Sequence, residues 1–75
     1  MKYKVLLEIE GPAVSLIKRS IEPDLPEGIS LKVKNMTLLV EIKANRVSRL
    51  RALVNSFLRT VQVLLDIYDE IKNLQ

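Results

Sequence analysis

From Tyr3 to Ile9 apolar side chains recur at every second position, with Tyr3, Val5, Leu7 and Ile9 on one side and Lys2, Lys4, Leu6 and Glu8 on the other. A period of two predicts a half-buried strand over residues 2–10. Gly11-Pro12 interrupts it, with proline placed for the first position of a helix whose inward side is Val14, Leu16, Ile17, Ser20 and Ile21. The stretch EPDLPEG ends that helix, because two prolines and a glycine leave it no backbone on which to continue. Alternation returns at Ile29–Lys34, with Ile29, Leu31 and Val33 inward, and at Thr37–Ala44, with Leu38, Val40, Ile42 and Ala44 inward. The Asn35-Met36 pair between them is short enough for a hairpin turn. Asn45 stands where it would cap a last helix of about 28 residues running nearly to Gln75. The order β-α-β-β-α predicts an α+β fold, a three-stranded antiparallel sheet with two helices on one face. Residues 1–75 read as one domain, without repeat or linker.

The last helix carries more apolar surface than such a sheet needs. At about 100° per residue, its apolar positions from Val47 to Leu74 spread over roughly half the circumference, where a stripe of about 100° would suffice. Val47, Leu50, Val54, Phe57, Val61, Leu64, Tyr68 and Ile71 follow the three-four alternation of helices that pack at a shallow angle. Either the first helix covers the surplus or another chain does. The first helix is too short to cover all of it, which favours an interface using Val54, Leu58, Val61, Leu65 and Tyr68. Charge order adds to this. Arg46, Arg49 and Arg51 open the helix and Asp66, Asp69 and Glu70 lie near its end, against the macrodipole at both ends. Two copies packed antiparallel through this helix would set arginines beside acids; a solvated face of unrelated charges is the alternative.

Composition narrows the function classes. Seventy-five residues, 48% apolar and 28% charged, make a single domain small enough for a partner to matter. The absence of cysteine excludes disulfides, zinc knuckles and thiol nucleophiles and points to the cytoplasm. Neither a signal peptide nor a membrane span is legible. Without histidine or cysteine no nucleophilic triad can be assembled, and two glycines cannot build a phosphate loop. Asp66, Asp69 and Glu70 are a solvated face rather than a metal site. No catalytic residue, metal or cofactor is expected. The net charge of +3 is compatible with RNA binding without requiring it. Lys2, Lys4, Lys32, Lys34 and Lys43, five of the seven lysines, fall in the outward register of the sheet. That face has no aromatic residue on which bases could stack, so it suits phosphate contacts or the ordinary protection of an exposed sheet.

Over IKANRVSRLRALVNSFLRTVQV the chain resembles the CTAG/Pcc-type family, the small dimerising subunit of the KEOPS complex. The matching positions are Ile42 and Ala44, then Leu50, Arg51, Ala52, Asn55, Ser56, Leu58 and Arg59, and the opening LEIEGP and the element order extend the likeness to the whole chain. Asn45 stands where an aspartate is common and Thr60 where an aromatic often follows the arginine, which leaves open a paralogue of the main subunit. The resemblance implies a cytoplasmic, non-catalytic part in making threonylcarbamoyladenosine next to the anticodon of tRNAs that read ANN codons. A separate ATP-binding, metal-dependent transferase subunit performs that transfer. The Pcc-type subunit binds the transferase through its helices, pairs with a copy of itself or a paralogue, and helps to hold tRNA. On this view Arg51, Asn55, Ser56 and Arg59 contact a partner or tRNA, and Lys32, Lys34, Lys43, Arg46 and Arg49 contact tRNA phosphates. Arginines at four-residue spacing can grip carboxylates or phosphates with both arms; pairing of Arg51 and Arg59 with the chain's own acids, Asp66 or Glu22, is the alternative. A free-standing RNA-binding domain and a purely structural dimer are the rival functions.

Overall fold

Leu38, Val40, Ile42 and Ala44, the alternate residues of one strand, are all buried, and Leu38 and Ile42 have no solvent exposure at all. The computed structural model describes residues 2–74 and places this strand, Thr37–Ala44, at the centre of the sheet. In chain order the elements are β1 (Tyr3–Glu10), α1 (Val14–Ile21), a single 3₁₀ turn (Glu22–Asp24), β2 (Ile29–Lys34), β3 (Thr37–Ala44) and α2 (Val47–Asn73). Both outer strands run antiparallel to β3, giving the sheet order β1-β3-β2. The expected α+β architecture is therefore present, with both helices over the face that carries β3's apolar side chains. Placing the longest apolar run in the middle gives that face neighbours on both sides.

Rows across the sheet are set by the register. Val5 and Ile29 flank Ile42, Leu7 and Leu31 flank Val40, and Ile9 and Val33 flank Leu38. The hairpin joining β2 to β3 turns at Asn35, whose φ of 57° is a left-handed conformation that asparagine tolerates. The Gly11 N–H donates to the Met36 carbonyl at 2.9 Å and ties the end of β1 to this turn.

Several local expectations need correction. Lys2 precedes β1. Pro12 lies in a turn, and α1 starts at Val14 with Ala13, itself buried, at the N-cap. Leu16 and Ser20 face outward, because an eight-residue helix packed by Val14, Ile17 and Ile21 has room for only one narrow stripe. Asn45 is not the cap of α2. That position belongs to Arg46, whose side chain makes no capping bond. The EPD segment, expected to be plain loop, winds into the 3₁₀ turn with Pro23 near its start, where a missing N–H does no harm.

The core closes with Leu53, Phe57 and Val61 of α2 over β3, while α1 covers the β2 side. Leu50, Val54, Leu64 and Tyr68 pack at its margin. At about 1.5 Å per residue the 27 residues of α2 span about 40 Å, against about 27 Å for an eight-residue strand. The helix overhangs the sheet. The radius of gyration of 13.1 Å exceeds the roughly 11 Å of a compact chain of this length, and the longest dimension is 46 Å against 22 and 19 Å.

Candidate functional site

Past Val61, nothing in α2 is fully buried. Leu64 and Tyr68 reach the core's margin, but Val63, Leu65, Ile67 and Ile71 are between 36% and 55% exposed on an overhanging rod. An isolated helix of this kind gains little from propensity and relies on packing, so exposed apolar side chains here mark an unpartnered surface.

Helical angle divides that surface in two. Val63, Ile67 and Ile71 continue the shoulder of Ser56 and Thr60, which faces α1; Val47, Leu58 and Leu65 lie on the opposite shoulder. Between the α1 side and α2 is a hollow of about 300 Å³ lined by Ile21, Leu25, Ile29, Phe57 and Leu64, with Ser20, Asp24, Ser56 and Thr60 at its polar edge. The Thr60 hydroxyl donates to the Ser56 carbonyl at 3.0 Å and the Ser20 hydroxyl to the Leu16 carbonyl at 2.8 Å. An apolar floor with a polar rim of this shape admits side chains of an incoming helix.

The expected helical interface is only partly free. Leu58 and Leu65 are exposed, Val54 and Tyr68 are half-buried against the core, and Val61, 4% exposed, belongs to the chain's own interior. Periodicity placed Val61 in the arc but could not say which part of the arc the sheet would cover. The hollow beside α1 was not foreseen, because Leu25 and Ile29 sit in and after a proline-rich turn, outside any helical period. Val63 was missed because it falls off the three-four stripe.

Arg51, Asn55 and Arg59 are exposed along the ridge of α2 that points away from the sheet, whereas Ser56 turns toward α1 and is not part of that ridge. The ion pairs among the described residues are Lys18–Glu22 at 2.9 Å and Lys43–Glu41 at 3.1 Å. Arg51 and Arg59 therefore do not pair with Asp66 or Glu22, and their guanidinium groups face solvent.

Lys43, Arg46 and Arg49 come together around a hollow of about 300 Å³ at the start of α2, with Ala44, Asn45 and Glu27 completing the wall. The positive end of the helix dipole adds to three cations there. Lys32 and Lys34 lie elsewhere, toward the hairpin end of β2. The outward sheet face is not a lysine platform: Glu8, Glu10 and Glu41 share it with Lys4, Lys32, Lys34 and Lys43, and Leu6 stands on it 67% exposed. Counting lysines alone hid the acids in the same register.

Among the described residues no group of three or more metal-ligating side chains is present, and no helix is long and apolar enough to cross a membrane. A family model described as transcription factor Pcc1 matches residues 7–69. No curated protein and no solved structure matches the chain.

Proposed function

Since the chain belongs to the Pcc1 family, the family of small KEOPS subunits, we propose that it is a non-catalytic, dimerising subunit of a tRNA-modifying complex of that type. It docks the transferase subunit with its helical face and helps to hold tRNA during threonylcarbamoylation of the adenosine next to the anticodon. The observation that carries this reading is the overhang of α2, where Val63, Leu65, Ile67 and Ile71 stand between 36% and 55% exposed. A partner that laid a helix along that overhang and into the hollow beside α1 would cover them.

Two further features support a part in holding RNA. The unpaired guanidinium groups of Arg51 and Arg59 are available for phosphate or carboxylate, and Lys43, Arg46 and Arg49 concentrate positive charge at one end of the molecule. Dimerisation then brings two such basic ends into one assembly, where modest single affinities add. The test is the double substitution Arg51→Glu with Arg59→Glu in the reconstituted complex. Both positions are exposed, so the melting temperature stays near that of the wild type, while modification of tRNA is lost. Undiminished modification would remove these arginines from the account.

A further inference from the structure

The ridge of α2 opposite Leu53, Phe57 and Val61 carries Ser48, Arg51, Asn55, Arg59 and Gln62 at three- and four-residue spacing, all of them exposed. Every one of these side chains ends in a hydrogen-bond donor, and each arginine presents two donors side by side. Between Glu41 and Asp66 the chain has four arginines and no acid. Arg46, Arg49 and Arg51 open the helix, where the macrodipole disfavours cations, so helix stability does not account for them. Ion pairing does not either, since neither Arg51 nor Arg59 joins a salt bridge among the described residues.

We propose that this ridge binds double-stranded DNA, lying in the major groove and reading base edges there. Such an activity goes beyond the part in tRNA modification given above. The B-form major groove is about 12 Å wide and admits one α-helix, whose diameter with side chains is about 10–12 Å. At about 1.5 Å per residue the ridge from Ser48 to Gln62 is about 21 Å long, about six base pairs. Arg51 and Arg59 match O6 and N7 of guanine, and Asn55 between them matches N6 and N7 of adenine. The order of side chains therefore selects an adenine between two guanines, within about five base pairs.

The rest of the helix fits this placement. Lys43, Arg46 and Arg49 gather at its start, beside the phosphates that flank an entering helix. Asp66 and Asp69 continue the ridge at the other end and repel phosphates, so only the first half of α2 enters the groove. The apolar overhang stays outside it, open to a protein partner. An RNA duplex does not offer the same seat, because the A-form major groove is too deep and narrow to be read by side chains.

Selection by the full chain from DNA duplexes with a randomised centre tests the proposal. Sequences with the guanine, adenine, guanine order should be enriched. In fluorescence anisotropy at fixed salt, such a duplex should bind at least about tenfold tighter than a scrambled one or an RNA duplex of the same sequence. Arg51→Ala and Arg59→Ala should each abolish the preference at one guanine and leave the other. Asn55→Ala removes no charge, so it should abolish the preference at adenine while scrambled DNA binds as before. All three positions are exposed, and circular dichroism should show each variant folded. No enriched sequence, equal binding of the RNA duplex, or substitutions that weaken all sequences alike overturn the proposal. Binding of tRNA without DNA also overturns it and leaves the tRNA reading standing.

Discussion

Gly28 has a φ of 101°, and a methyl group added there would lie 2.6 Å from the Lys43 carbonyl oxygen. The close approach is part of the structure, since the Lys43 N–H donates to the Gly28 carbonyl at 2.8 Å where β2 begins against the end of β3. Both the backbone angle and the space exclude a side chain. Gly28→Ala should cost about 1–3 kcal/mol, lowering the melting temperature by on the order of 10 °C in a domain of this size; an unchanged transition would mean that the two strands separate without loss. Glycine after Pro26 and Glu27 was legible as a turn, but its contact with Lys43 was not, because it joins residues 15 apart in sequence. The same limit explains the cap of α2. Asn45 has the better side chain for that role, yet the position falls to Arg46, since the end of β3 is fixed by Ala44 packing into the core.

At the scale of elements, strands were the most legible part of the chain. Strict alternation left one face to bury, and the structure follows it in all three strands except at Tyr3, which lies at the end of β1 in the inward register yet is 40% exposed. Helices were less so. The arc of α2 was visible, but its division into core, hollow and overhang depends on where the sheet ends. Leu53, Phe57 and Val61 hold the fold, whereas Ile67 and Ile71 are 47% and 55% exposed and contribute little to it. Changing both to aspartate should alter stability by no more than about 1 kcal/mol in total, as for surface positions generally. The same change should weaken transferase binding tenfold or more in a titration of the two proteins. Equal loss of stability and binding would place these side chains in the chain's own core.

As a whole molecule, the chain presents two unlike faces on opposite sides of one thin sheet. The helical side has an apolar overhang and a hollow with a polar edge; the bare side has an ordered set of charges around Leu6 and Leu39. Such a layer leaves one face of its sheet uncovered by its own helices. The candidate site was legible as a suspicion, a helix with surplus apolar surface and spare arginines, and family membership gives that suspicion a biological setting. Sizing with light scattering, applied to the chain alone and mixed with the transferase subunit of its own organism, tests this account most directly. It predicts a dimer that carries the transferase with it on the column. A monomer that elutes apart from the transferase would contradict it.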